Sequence, residues 1–134
     1  MRNILVVSDI DGTLMDHNYD LSAAMNTISI LKENRIPLIL CTSKTASEVR
    51  KIRDNIGLKD PFIVENGGAI YGNKNDSLEE WEIILGRSYS DLRIILDRLS
   101  TDIGYRLKAL NDLNHEEIRK LTGLSNPDIE LALQ

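Results

Sequence analysis

The chain reads as an α/β fold built on a Rossmann-like parallel sheet, and three observations predict it. Short apolar runs at Ile4 to Val7, Leu38 to Cys41 and Phe62 to Val64 are too brief for buried helices and are bounded by turn or polar residues. Stretches with apolar residues at helical spacing separate the first run from the second and the second from the third. Each run also stops at a polar cluster: Asp9/Asp11, Thr42/Ser43 and Glu65/Asn66. In open α/β sheets ligands bind outside the carboxyl ends of the strands, so a parallel arrangement would bring these three clusters together.

In chain order, Ile4 to Val7 is expected to be a fully buried parallel strand. Leu21, Met25, Ile28 and Leu31 then place one apolar stripe on a helix from about Leu21 to Asn34. Pro37 closes that connection, and Leu38 to Cys41 forms the second strand. Thr45 and Glu48 have the spacing of a capping box, which starts a helix carrying Val49, Ile52 and Ile56 on one face until Gly57 turns the chain out. Phe62 to Glu65 is the third strand, ended by Asn66, Gly67 and Gly68, and Ala69 to Tyr71 returns as an edge or hairpin strand into a loop from Gly72 to Ser77.

Beyond that loop the pattern changes. Trp81, Ile83 and Leu85 alternate with Glu80 and Glu82 as a half-exposed strand does. Leu92, Ile95, Leu96 and Leu99 stripe a helix from about Ser90 to Ser100, Gly104 punctuates, and Tyr105 to Leu110 is expected to form a further strand. Asn114 with Glu117 starts a helix that Gly123 stops, and Asn126-Pro127 starts another, within which the sequence reaches Gln134. The expected organisation is a βαβαβ core over residues 1–76, followed over residues 77–134 by part of an α/β cap that would act as a lid.

Composition narrows the function classes. The 134 residues carry 16 Lys and Arg against 21 Asp and Glu, a net charge of −5, and the basic residues are scattered. Nucleic-acid backbones are held by basic patches, so a nucleic-acid partner is not expected. Cys41 is the one cysteine and lies in an apolar run, where a buried structural role is expected and a disulfide framework is excluded. Neither a membrane span nor a signal-peptide pattern is visible, which makes a cytoplasmic enzyme the expectation.

The chemistry centres on Asp9 and Asp11. Two carboxylates two residues apart at a strand's carboxyl end project to the same side, and their repulsion is relieved by a cation or a shared proton. Hard oxygen ligands of this kind suit Mg²⁺. A calcium-binding loop would need a Glu at its twelfth position, where this sequence has Asp20. At the second strand's end, Lys44 and the unpaired donors of the following helix should attract an anion, with Thr42 or Ser43 adding a hydroxyl. Thr45 is expected to act chiefly as a helix cap.

Asp9-Ile10-Asp11-Gly12-Thr13-Leu14 resembles the first motif of the haloacid dehalogenase superfamily of phosphotransferases. That resemblance implies that Asp9 is a nucleophile forming an aspartyl-phosphate, that Asp11 is the general acid and base, and that Thr42 hydrogen-bonds the transferring phosphoryl group. It implies Mg²⁺ as cofactor, with Asp9 and Asp11 as its ligands. Thr42-Ser43-Lys44-Thr45, Glu65-Asn66-Gly67-Gly68-Ala69-Ile70 and Leu121-Thr122-Gly123-Leu124 narrow the resemblance to the branch that dephosphorylates mannosyl-3-phosphoglycerate. Ser43, Lys44, Asn66 and Gly67 join Thr42 as expected phosphate or substrate contacts, and the expected partner is a small phosphorylated sugar or glycerate derivative. Members of that branch carry, after the cap, a lysine and a Gly-Asp segment with no counterpart in a comparable context here. The sequence thus resembles the N-terminal portion of such a phosphatase. A phosphate-binding remnant without catalysis and a sugar phosphomutase are the alternative readings.

Overall fold

The computed structural model describes residues 4–74 and 79–134. The chain divides into two compact units, Met1–Leu85 and Gly86–Gln134. The boundary expected between residues 76 and 77 lies outside the described residues.

The first unit is a five-stranded sheet in the order β1-β2-β3-β4-β5 with two helices. Its strands are β1 (Val6–Ser8), β2 (Leu38–Cys41), β3 (Phe62–Val64), β4 (Ala69–Asn73) and β5 (Glu80–Ile84). β1, β2 and β3 run parallel, and β4 and β5 continue antiparallel as a meander. The alternating strand read from Trp81, Ile83 and Leu85 therefore exists, but it extends the core sheet and does not begin the second unit. β4 runs further than Tyr71 because Gly72 and Asn73 pair with Trp81 and Glu80, which takes them out of the expected loop.

Helices α1 (Ser22–Glu33) and α2 (Ala46–Ile56) supply the crossovers. α2 starts as the sequence predicts. The Thr45 side chain accepts from the Glu48 N–H, the Glu48 carboxylate accepts from the Thr45 N–H, and Gly57 closes the helix at φ +63°. Ile28 of α1 and Val49 and Ile56 of α2 join Leu38, Leu40, Phe62, Val64 and Ile10 in one buried core. Phe62 is fully buried, stacked on Tyr71 with ring centroids 5.5 Å apart, and the Arg53 guanidinium lies 4.3 Å from its ring centre.

The expectation that β1 is fully buried is not met. Ile4, Leu5 and Val7 are each more than half exposed. Among the described strands β1 stands at the sheet edge with β2 on one side, and a strand is covered on both faces and both sides only inside a sheet.

The second unit holds α3 (Tyr89–Ile103), α4 (His115–Thr122) and α5 (Asn126–Ala132). Ser88 caps α3 and Gly104 ends it, while an Asn114/Glu117 capping box starts α4 and Gly123 ends it. Ile118 and Ile129 are its fully buried residues. The strand expected at Tyr105 to Leu110 does not form. Its donors are taken locally: Leu107 N–H donates to Ser100 Oγ at 3.0 Å and Ala109 N–H to Asp112 Oδ2 at 2.8 Å. Side-chain acceptors that capture backbone N–H groups compete with ladder pairing, and a single 3₁₀ turn, Leu110–Asp112, results. None of the described helices is long and apolar enough to cross a membrane.

Candidate active site

Asp9 follows β1 directly and stands at its carboxyl end. The chain then folds back tightly on Ile10, which is fully buried and whose carbonyl accepts the N–H groups of Thr13, Leu14 and Met15. Gly12, at φ +73°, makes this reversal and donates to the Met15 carbonyl at 2.8 Å. Buried Ile10 thus anchors the two carboxylates that flank it in sequence.

Residues 16–20 continue this segment as a side-chain-braced turn. Asp16 Oδ1 accepts from the N–H groups of Asn18 and Asp20, and Asp20 Oδ1 accepts from Ser22 N–H and Oγ–H. The backbone N–H of Asp20, followed by that of Asn18, holds the Asp16 carboxyl below its ordinary value. The Ser22 hydroxyl and N–H do the same for Asp20. Tyr19 sits in this turn at φ +61°, a conformation that costs a non-glycine residue energy and recurs at functional sites.

At the end of β2, Thr42 is 4% exposed and its Oγ1 accepts from the Lys44 N–H at 3.2 Å. The loop after β3 is tied to the same place, since Glu65 N–H donates to the Lys44 carbonyl and Asn66 N–H to the Thr42 carbonyl. Glu65 and Asn66 both adopt positive φ, +52° and +56°, followed by Gly67 at +93°. Three strand ends do converge: Asp9, Cys41, Thr42, Ser43 and Asn66 line one open cavity of about 430 Å³. Asp11, Lys44 and Gly67 are not among its lining residues.

Lys44 has other partners. Its ammonium lies 3.1 Å from Asp11 Oδ1 and 3.7 Å from Glu48 Oε1, and 5.4 Å from the centre of the Tyr19 ring. Its side chain is 12% exposed against 44% for Asp11. The two carboxylates therefore differ. Asp11 is ion-paired, whereas Asp9 has no side-chain hydrogen bond or ion pair among the described residues and faces the cavity. A carboxylate in that condition fits a hard cation, so the donor set suits Mg²⁺ at Asp9. Among the described residues no group of three or more His, Cys, Asp or Glu gathers as a metal cluster.

Reading the sequence missed Glu48, Tyr19 and Cys41 as residues of this neighbourhood. Glu48 was legible only as half of a capping box, and no local pattern marks Tyr19. Cys41 is half-buried and lines the cavity, where full burial as a core residue was expected.

A strand end bearing an unpaired carboxylate opposite a hydroxyl, helix-start and asparagine cluster on a parallel α/β sheet is an arrangement suited to one class, the phosphoryl-transfer hydrolases. Comparison with known proteins makes the class definite. A family of haloacid dehalogenase-like hydrolases matches residues 6–105, and this chain belongs to it. It is 37% identical to the glucosyl-3-phosphoglycerate/mannosyl-3-phosphoglycerate phosphatase of Methanococcoides burtonii and 34% identical to that of Persephonella marina. Each match covers 96% of this chain and 51% of the relative, so the chain spans about half the length of these curated relatives. Among solved structures, a haloacid dehalogenase-like hydrolase from Bacteroides thetaiotaomicron superposes with a TM-score of 0.59 at 17% identity, covering 75% of this chain and 38% of that one. One from B. subtilis gives 0.57 at 22% identity, covering 73% and 33%. These likenesses establish the α/β fold.

Proposed function

We propose that this chain carries the nucleophile-bearing part of a Mg²⁺-dependent phosphatase that hydrolyses a phosphomonoester of a sugar or glycerate derivative, mannosyl-3-phosphoglycerate foremost. The observation that carries the reading is the asymmetry of the two carboxylates: among the described residues Asp9 is unpaired, and it lines the cavity with Thr42, Ser43 and Asn66, while Asp11 is ion-paired to Lys44. The curated relatives' names favour that substrate class.

In this mechanism an Asp9 Oδ attacks phosphorus in line, and the bond from phosphorus to the leaving oxygen breaks. Asp11 gives that oxygen its proton. Water then attacks the aspartyl-phosphate, Asp11 takes a proton from the water, and inorganic phosphate leaves with Asp9 restored. Splitting one displacement into two is the advantage of a covalent nucleophile. Thr42 and Ser43 hydroxyls receive the phosphoryl oxygens, helped by the positive end of α2. Asp9 would hold Mg²⁺, whose positive charge, when bound, would let an anionic nucleophile meet an anionic phosphate. Asn66 lines the same cavity, and Gly67 follows it in the loop at φ +93°.

The test is single-turnover labelling with mannosyl-3-[³²P]phosphoglycerate and Mg²⁺. The expected product is an acid-stable, hydroxylamine-sensitive label on the protein that Asp9→Asn abolishes. Asp11→Asn should slow release of the organic alcohol by about 10²–10⁴-fold, the usual contribution of a general acid. Undiminished labelling or phosphate release in Asp9→Asn would remove Asp9 from the role of nucleophile.

A further inference from the structure

Two carboxylates at one strand end present a problem that the reading above leaves open. A divalent cation attracts both, and a carboxylate bound to such a cation is a poor carrier of protons. The acid/base group must be kept apart from the metal ligand by something other than its own chemistry, since both are aspartates on the same short loop.

Lys44 is placed to do this. Its ammonium is 3.1 Å from Asp11, and it is itself held from two further sides, by Glu48 Oε1 at 3.7 Å and by the Tyr19 ring at 5.4 Å. Glu48 is fixed in turn, because its Oε2 accepts from Thr45 N–H at 2.8 Å and Thr45 Oγ1 at 3.1 Å. The lysine is thus tethered to the first turn of α2, a rigid element. Lys44 does not line the cavity that Asp9, Thr42, Ser43 and Asn66 share.

Resting on the assignment of Asp9 and Asp11 above, we propose that Lys44 is a positioning residue that sorts the two aspartates. By holding the Asp11 carboxylate it keeps that group out of the cation's coordination shell and reserves it for proton transfer, leaving Asp9 to the metal. Glu48 and Tyr19 set where the ammonium stands.

The sorting is read from Mn²⁺ affinity of the whole chain, measured by electron paramagnetic resonance without any substrate. Lys44→Met should bind Mn²⁺ at least about tenfold more tightly, the lower end of what outer partners of metal ligands exert, because Asp11 is released to the ion. Lys44→Arg should stay near wild type, and Glu48→Gln should fall between. The gain must vanish when Asp11→Asn is added to Lys44→Met. A gain that persists in that double variant is general charge removal and overturns the proposal. Unchanged Mn²⁺ affinity in Lys44→Met overturns it too, as does a loss of inorganic phosphate affinity with Mn²⁺ binding unaltered, which would make Lys44 a phosphate ligand. Failure of the underlying assignment has a different signature: Asp9→Asn would then leave Mn²⁺ binding intact.

Discussion

Gly72 offers a sharp test of the sheet that carries the site. It pairs with Trp81 across β4 and β5, and a methyl group placed on it would lie 2.4 Å from Trp81 Cζ2 and 2.6 Å from Cε2. Ordinary contact begins near 3.4 Å, so Gly72→Ala must push the indole or the strand by about 1 Å. Overpacking of this kind costs about 1–3 kcal/mol. Replacing glycine inside a strand returns about 0.5–1 kcal/mol. The net expectation is a loss of about 0–2.5 kcal/mol, with the melting point lower by roughly 4–8 °C for each kcal/mol in a unit of this size. Trp81 is the chain's one tryptophan, so its fluorescence reports the displacement directly and its urea transition reports the stability. In a Trp81→Val background, followed by far-ultraviolet circular dichroism, Gly72→Ala should become neutral or mildly stabilising. A Gly72→Ala protein with native emission and urea midpoint both unchanged would refute the register of β4 on β5.

Two further outcomes are expected. Phe62→Ala removes a fully buried ring from beneath Tyr71 and Arg53 and should cost about 3–5 kcal/mol, against less than about 1.5 kcal/mol for Phe62→Leu; urea denaturation distinguishes these, and near-equal costs would contradict the packing. In the second unit the Arg93 guanidinium, then the Ala109 N–H, hold the Asp112 carboxyl below its ordinary 3.8, so its stabilising contribution is present above that value and lost as pH falls through the lowered one. Asp112→Asn should flatten this acid limb in melting curves taken from about pH 5 to about pH 2, and parallel limbs for the two proteins would show that the ion pair contributes nothing.

What the sequence made legible was local. The Thr45/Glu48 and Asn114/Glu117 capping boxes, the glycines that end α2, α3 and α4, and the apolar stripes of α1 and α2 are determined within a few residues, and each appears where it was read. The convergence of Asp9, Thr42, Ser43 and Asn66 was legible because parallel pairing of β1, β2 and β3 follows from alternation with helices. Misread features depend on partners distant in sequence or on competition. An apolar run such as Ile4 to Val7 does not reveal whether strands will flank it on one side or two. Tyr105 to Leu110 has strand composition, yet Ser100 and Asp112 were better acceptors for its N–H groups than any neighbouring strand.

The same limit explains Lys44. Read locally, a lysine after a strand and before a helix is either a solvated residue or an anion ligand, and Glu48 is a capping residue and nothing more. Folding brings the Asp9–Asp11 loop against the start of α2, and the two readings merge: the carboxylate that caps the helix with one oxygen steadies the lysine with the other, and the lysine steadies Asp11. An exposed ion pair is worth little because two long side chains must be ordered to make it. Here the lysine is 12% exposed and Glu48 is already ordered by the cap, so much of that ordering cost falls on an interaction the helix needs in any case. On the roles proposed above, helix initiation and control of the acid/base group share one side chain, and a substitution at Glu48 should disturb both.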